Sequence, residues 1–193
     1  MQASFYPQTH IDKNVRGLRR RPRNLEAVNR ILSKRFPSLN LTGLAALPHL
    51  LVAVECEADN GRKSVLHHFS VFHGGQARGE EGFLRIWQGL ERGSVTVTSV
   101  FPKLPTGQGL GQTLFELILL RGNSFTGKEI MVVDMNGASK MMVSRMDGFH
   151  PKGHRYFGEG DGEHWTIMAP KLSARELYAV EWYWVNVLHC PAL

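Results

Sequence analysis

Hydrophobic residues recur at helical spacing soon after the start of the chain. Residues 25–32 place apolar side chains at intervals of three and four, directly after Asn24, a residue type that caps helices. We expect this helix to end before Pro37, because the residue ahead of a proline is disfavoured in helical geometry. The next stretch, 38–48, is predicted to be a connector, with a short helical option at 41–47.

A second helical pattern lies near the other end. Ser173 and Glu176 have the spacing of a capping box, in which the two side chains cap the first turn reciprocally. Apolar residues then recur at Leu177, Val180 and Trp184. The sequence therefore predicts a terminal helix over about 173–189, whose aromatic residues face either the core or a partner in a homodimer.

Between these helices the apolar pattern changes to that of strands. Four runs are rich in β-branched and aromatic residues, at 50–57, 64–72, 83–87 and 94–101. Asn60-Gly61 separates the first two and is a strong hairpin signal. A helix over 81–90 remains an alternative to the third strand.

The second half of the chain mixes both patterns. A strand is predicted at 129–135, a short helix at 138–146 and a closing hairpin formed by 155–158 and 164–168. Strands and helices in this order predict an α/β (α+β) protein with a mixed, mostly antiparallel sheet flanked by helices.

Composition narrows the class of protein. A chain of 193 residues with 42% hydrophobic and 21% charged residues is typical of one soluble globular domain. It has no apolar run near the ~18 residues that a membrane span needs, and its first residues lack the order of a signal peptide. We therefore expect a cytoplasmic protein without membrane contact. Cys56 and Cys190 are far apart in sequence and are interpreted as reduced thiols rather than metal ligands.

Positive charge is concentrated near the start of the chain. The formal net charge is +6, and much of the excess lies between Lys13 and Arg35. We interpret 1–22 as a basic, flexible arm and 23–193 as a single domain. A cluster of this kind favours contact with the phosphates of RNA or DNA. The alternative is a solvated arm followed by an exposed helix face.

The most informative segment lies between the fourth strand and the helical pattern that follows it. Gly107, Gly109 and Gly111 alternate there, which indicates that the backbone must come close to another group. The first amides of a helix lack internal partners and favour an anion such as a pyrophosphate. The alternative is a tight turn with close helix packing.

This order of elements resembles the GNAT superfamily of N-acetyltransferases, which use acetyl-coenzyme A. In that family a strand leads into an Arg/Gln-x-x-Gly-x-Gly/Ala turn, a second strand ends near an Asn, and a short helix closes on a Gly-Phe pair. Here Gly109 and Gly111 take the two small positions, and Asn136 and Gly148-Phe149 take theirs. The resemblance covers roughly 94–170, the cofactor half. Thr106 departs from the pattern, since it stands where the family has Arg or Gln.

The resemblance implies a GNAT-like sheet with the terminal helix as an addition. It also implies that acetyl-coenzyme A, or another acyl-coenzyme A, binds the backbone of the fourth strand, the glycine turn and an asparagine near the thiol. The cofactor residues that it assigns are Val100, Phe101, Thr106, Gly107, Gln108, Gly109, Leu110, Gly111, Gln112, Thr113 and Asn136. Asn136 has a plainer interpretation as a residue of a strand-end turn.

Acyl transfer to an amine needs a base for the amine proton and an acid for the departing thiolate. Ser144 takes the position where the family often has a tyrosine acid, and Tyr156 is the candidate that could substitute for it. The candidate bases are Glu55, which shares a strand face with Glu57, and His67, which titrates near neutral pH.

The favoured function is an acyl-coenzyme A-dependent N-acyltransferase, with acetyl as the expected group and an unknown amine as the acceptor. One alternative keeps the fold and modifies nucleic acid, by acylating an aminoacyl-tRNA or altering a base. The other is a non-catalytic module that binds coenzyme A or nucleic acid.

Overall fold

The computed structural model of the chain describes residues 22–59, 61, 64–72, 82–89, 95–100, 104, 107–121, 125, 127–135, 137–157 and 163–190. Five helices and seven strands lie in these ranges. In chain order they are α1 (Leu25–Leu32), α2 (Leu41–Ala45), β1 (Leu51–Asp59), β2 (Ser64–Phe72), β3 (Gly82–Gly89), β4 (Val95–Val100), α3 (Leu110–Leu120), β5 (Glu129–Met135), α4 (Gly137–Ser144), β6 (His150–Phe157), β7 (Glu163–Met168) and α5 (Ala174–Asn186). None of the described helices is long and apolar enough to cross a membrane.

The fold is mixed α/β, as the sequence predicts at the level of class. The strands form a seven-stranded sheet in the order β1-β2-β3-β4-β5-β7-β6. The strand prediction for 83–87 is confirmed over the helical alternative, since β3 pairs with β2 and with β4. β6 begins at His150, ahead of the predicted run, and its early part includes Pro151. Proline is tolerated there because β6 is an edge strand.

The sheet consists of two antiparallel blocks joined by one short parallel contact. Strands β1 to β4 pair antiparallel in sequence order, and β7 lies antiparallel between β5 and β6. β4 and β5 are parallel, and their register runs from Val95 opposite Ile130 to Val97 opposite Val132. Within the described strands, no residue of β4 beyond Val97 pairs with β5. The register between β5 and β7 shifts just after Val132, so β5 is irregular where it leaves β4.

One face of the sheet carries the core and the other is partly open. Val52 lies opposite Val71, and Ile130 lies opposite Ile167, and all four side chains are buried on the helix-covered face. On the other face Met131 is exposed. This alternation of buried and exposed positions is the pattern expected of a sheet covered by helices on one side.

Helix α5 completes the core over that face. Tyr183 and Trp184 are buried, so these two aromatic residues are core residues of the same chain. The Trp184 indole contacts the ring of Phe69 on β2, with centroids 6.3 Å apart. The guanidinium of Arg121 lies 4.2 Å from the centre of the Trp184 ring on another side. The capping box at Ser173 is confirmed.

A close contact joins the end of α1 to the turn that precedes β6. Phe36 is buried, and its ring packs at 6.4 Å from the ring of Phe149. Gly148 approaches the same ring so closely that a β-carbon built on it would overlap Phe36. Glycine at position 148 is therefore required by packing rather than by backbone conformation.

We predict that Gly148→Ala lowers the free energy of unfolding by about 1–3 kcal/mol, the usual cost of overfilling a packed site. The added methyl group must displace the buried Phe36 ring. Urea unfolding followed by tryptophan fluorescence measures the loss.

Gly137→Ala is the matched control, because Gly137 is exposed and a β-carbon there meets nothing within 4 Å. This change should be neutral or stabilise by up to about 1 kcal/mol, since alanine favours helices. Equal stability of the two variants would contradict the close contact with Phe36.

Candidate functional site

The glycine turn ahead of α3 is open and needs glycine for its backbone. Gly107 and Gly109 have φ angles of +81° and +67°, in the left-handed region that side chains disfavour. A β-carbon at either position would meet nothing within 4 Å. Close helix packing, the alternative interpretation of these glycines, is therefore not the reason for them at these two positions. The turn leaves room for a ligand beside its backbone.

Helix α3 begins without a side-chain cap. Its N-cap is Gly109, and its first internal bond runs from the Thr113 amide to the Gly109 carbonyl at 2.9 Å. The three amides before Thr113 thus have no carbonyl within the helix to bind. Helices α1, α2 and α5 are instead capped by Asn24, Asn40 and Ser173. A helix N-terminus without a side-chain cap favours an anion, because the amide dipoles present their positive end there.

The turn is held in place from α2. The Asn40 side chain donates from Nδ2 to the carbonyl of Gln108 at 3.0 Å, while its Oδ1 caps α2. The Asn40 amide donates to the Thr113 hydroxyl at 2.9 Å, and that hydroxyl donates to the Gly109 carbonyl at 3.0 Å. Asn40 is therefore a positioning residue that the sequence analysis missed, because a cap that also reaches across 68 residues leaves no local pattern.

A buried carboxyl group lies just behind the turn. Glu116 is fully buried on α3, and its carboxylate accepts hydrogen bonds from the Ser38 hydroxyl at 3.0 Å and from Gln112 Nε2 at 2.8 Å. Gln112 also donates to the carbonyl of Arg145 at 3.2 Å. Burial raises the pKa of Glu116 to about 7, the two hydrogen bonds oppose this shift, and the charge of Asp147 adds to it.

The predicted acids are partly placed by the structure. Ser144 is exposed at the end of α4, and its hydroxyl donates to the Met141 carbonyl at 2.8 Å. Tyr156 lies on β6, but its side chain is outside the described part of the structure.

Of the predicted cofactor residues, Val100 is the last residue of β4, beyond the pairing with β5. Phe101, Thr106 and Asn136 lie outside the described residues.

The two predicted bases lie on opposite faces of the sheet. The register pairs Glu55 with His68 and Cys56 with His67, so Glu55 shares the open face and His67 the helix-covered face. His67 is buried, and its ring packs against the ring of Phe125, beyond the end of α3. Because the 11-residue α3 spans about 16 Å, His67 is well removed from the glycine turn at its start. The structure therefore does not bring His67 together with Glu55 or with the turn.

Comparison with known proteins adds no further constraint. The chain matches no model of a known protein family, and none of the curated proteins matches it. Within the described ranges, no group of three or more His, Cys, Asp or Glu residues is arranged to hold a metal ion. Function is therefore inferred from the geometry of the chain itself.

We predict that Glu116 makes the protein less stable as the pH rises through neutrality. Its pKa is about 7 in the folded chain and 4.5 without the fold, so the folded state binds the proton more tightly. The stabilisation is complete below about pH 4.5 and is lost as the pH rises through about 7. A shift of this size corresponds to about 3 kcal/mol.

Urea unfolding of the native protein and of Glu116→Gln between pH 5 and pH 8 isolates this effect, because all other titrating groups are common to both proteins. The stability of the native protein relative to the variant should fall across that range. Asp147→Asn should shift the midpoint of the fall to lower pH. Parallel profiles for the native protein and Glu116→Gln would show that the buried carboxyl does not titrate there.

Proposed function

We propose that this chain is an acyl-coenzyme A-dependent N-acyltransferase with a GNAT-like fold and acetyl as the expected acyl group. The observation that carries the proposal is the junction of β4, β5 and α3. The parallel pairing of β4 with β5 ends at Val97 and Val132, and an open glycine turn then leads into an uncapped helix. The mixed, mostly antiparallel character of the sheet supports the proposal.

The junction suits a ligand with two unlike parts. Beyond Val97 the backbone of β4 offers amide and carbonyl groups that do not pair with β5, and an extended molecule with amide groups can bind them as an added strand does. The pantetheine arm of coenzyme A has this chemistry. The amides of the glycine turn and of the first turn of α3 then bind its pyrophosphate, because negative charge is favoured there.

The reaction is direct transfer. The amine nitrogen attacks the thioester carbonyl, the bond from carbon to sulfur breaks, and the thiolate leaves with a proton. Ser144 is our candidate acid, although its hydroxyl proton is directed to the Met141 carbonyl and has to be redirected or relayed through water. Tyr156 remains the second candidate acid. Glu55, exposed on the open face of the sheet, is the remaining candidate base.

We predict that Gly107→Asp weakens the binding of acetyl-coenzyme A at least tenfold relative to Gly107→Asn. Both side chains tolerate the left-handed backbone, and both extend into open space. They differ only in charge, which would repel a pyrophosphate at this turn. Calorimetric titration with acetyl-coenzyme A and with free coenzyme A measures the difference.

Equal affinities of the two Gly107 variants would rule out the turn as the pyrophosphate site. Failure of the native protein to bind either compound would remove the acyltransferase proposal altogether. Binding without turnover across a panel of amines would instead favour the non-catalytic module.

A second candidate function is the binding of nucleic acid, and a basic groove between α1 and α5 favours it. The groove encloses about 180 Å³ and is lined by Arg30, Ile31, Lys34, Ser173, Arg175 and Glu176. The Glu176 carboxylate accepts hydrogen bonds from Ser173 and pairs with Arg35 at 3.4 Å, and Arg30 pairs with Glu26 at 3.2 Å, so we assign the contact with phosphates to Lys34 and Arg175. The basic segment 1–21, which lies outside the described residues, precedes α1 and adds to the positive charge.

We predict that Lys34→Glu combined with Arg175→Glu weakens binding to single-stranded RNA and lowers the slope of log K against log salt by about 1 per lost phosphate contact. Fluorescence anisotropy at several salt concentrations measures both quantities. Arg85→Glu combined with Lys140→Glu changes the net charge equally at positions outside the groove and serves as the control. Equal losses in the two double variants would assign the effect to net charge alone.

A further inference from the structure

Three side chains on neighbouring strands form a connected polar chain on the helix-covered face. Cys56 on β1 lies opposite His67 on β2, and its Sγ is 3.3 Å from Nδ1 of that histidine. The other ring nitrogen of His67, Nε2, is 3.1 Å from Oε1 of Gln88 on β3. A thiol, an imidazole and a carboxamide are thus linked in order across three strands.

The hydrogen bond to Gln88 defines the direction of this chain. A carboxamide oxygen only accepts, so Nε2 of His67 carries the ring proton and Nδ1 presents its lone pair. The Cys56 thiol therefore donates to Nδ1. A nucleophile within reach of a base, with that base oriented by a third group, is the arrangement by which proteins activate a cysteine.

The surroundings fix the base and leave the thiol accessible. His67 is 3% exposed, and its ring packs in a T-shaped contact with the ring of Phe125, with centroids 5.2 Å apart, so its surroundings restrict rotation of the imidazole. Cys56 is partly exposed and lies on β1, an edge strand. Cys190, by contrast, is buried, and Arg121 donates to its sulfur at 3.2 Å. The two thiols of the chain therefore differ in both access and partner.

The imidazole of His67 is in its uncharged form at neutral pH, the form that can accept a proton. Burial lowers the pKa of His67, the hydrogen bond to Gln88 opposes this shift, and the positive charge of Lys128 adds to it. The ring is therefore neutral at pH 7, with its lone pair available to the thiol.

We propose that Cys56 is a reactive thiol, activated by His67 and positioned by Gln88, that undergoes exchange with small disulfides such as glutathione disulfide. The thiol proton passes to Nδ1 of His67, and the thiolate attacks one sulfur of the disulfide. A new bond forms between Cys56 Sγ and that sulfur, the original disulfide bond breaks, and the departing thiolate takes the proton back from the imidazolium. Cys56 is oxidised to a mixed disulfide while one equivalent of small thiol is released.

This site is separate from the glycine turn. The His67 ring packs against Phe125, which follows α3, whereas the glycine turn precedes α3. The exchange reaction needs no coenzyme A, so its success or failure is independent of the proposed acyltransferase.

The test measures the rate at which the native protein reacts with glutathione disulfide at pH 7, with the modified cysteine located by peptide mass spectrometry. Cys56 should be modified at least tenfold faster than the same residue in the urea-unfolded chain, while Cys190 remains unmodified. The rate should level off at a pH below the ~8.5 of an ordinary thiol. Modification of Cys56 at or below the unfolded rate would overturn the proposal.

Two substitutions at the half-buried Gln88 separate activation from simple packing. Gln88→Met keeps the length of the side chain but removes the acceptor, and should slow the exchange at least fivefold and move the pH profile toward that of an ordinary thiol. Gln88→Glu keeps an acceptor and makes His67 more basic, so it should preserve or raise the rate. His67→Gln should abolish the activation.

Unfolding midpoints are measured for all three variants, and rates are compared only in the range where each is folded. If both Gln88 variants react at the native rate and with the native pH profile, the link from Cys56 through His67 to Gln88 is structural only, and the proposal is wrong.

Discussion

The burial of α3 from Thr113 to Leu120 is the constraint on which much of the described structure depends. From Thr113 to Leu120 every side chain of this helix is buried, so each polar group that it carries needs a partner inside the protein. The Leu117 carbonyl accepts from the Trp184 indole at 3.2 Å, and Glu116 is enclosed by hydrogen bonds. Only the start of the helix reaches the surface, at the glycine turn. The polar groups along α3 have partners inside the protein, whereas the amides at its N-terminus do not have partners within the helix. That end is therefore the part of the helix that can bind a ligand.

The pairing of the sheet separates two kinds of chemistry. Beyond Val97 the described part of β4 pairs with β3 but not with β5, and the glycine turn follows β4 along the chain. At the other end of the same helix, Cys56, His67 and Gln88 are aligned by regular antiparallel pairing. The first site depends on an interruption of the sheet and the second on its regularity. Both follow from one sheet in which β4 and β5 are the single parallel pair in an otherwise antiparallel order.

Local patterns predicted much of the fold, and they did so where the physical cause is local. The capping box at Ser173, the stripe of α1 and the hairpin signal at Asn60-Gly61 depend on residues that are close in sequence. The strand β6 was predicted too short, because Pro151 is a poor strand residue except at an edge, and the position of an edge is a property of the whole sheet.

The candidate site was likewise predictable only where its features depend on residues that are close in sequence. Alternating glycines indicate an open turn, but they cannot show that Asn40 holds it or that Glu116 lies behind it, since those contacts cross tens of residues. The pairing of Cys56 with His67 could have been predicted from the sequence. The two residues are placed symmetrically about the hairpin turn, so the register of β1 and β2 would have set them opposite each other. Gln88 required a third strand, which no hairpin pattern supplies.

The contacts of α5 have a consequence for the order in which the molecule can form. The Tyr183 hydroxyl donates to the Leu41 carbonyl across 142 residues of sequence, and Trp184 fills the space between Phe69 and Arg121. A chain that has emerged from the ribosome only as far as β7 holds the whole sheet and α3, yet it lacks the side chains that close their core. Contacts of such long range are slow to form. Synthesis therefore leaves a period in which the apolar surface of the sheet and α3 has formed but is not covered, and the synthesis of α5 ends that period.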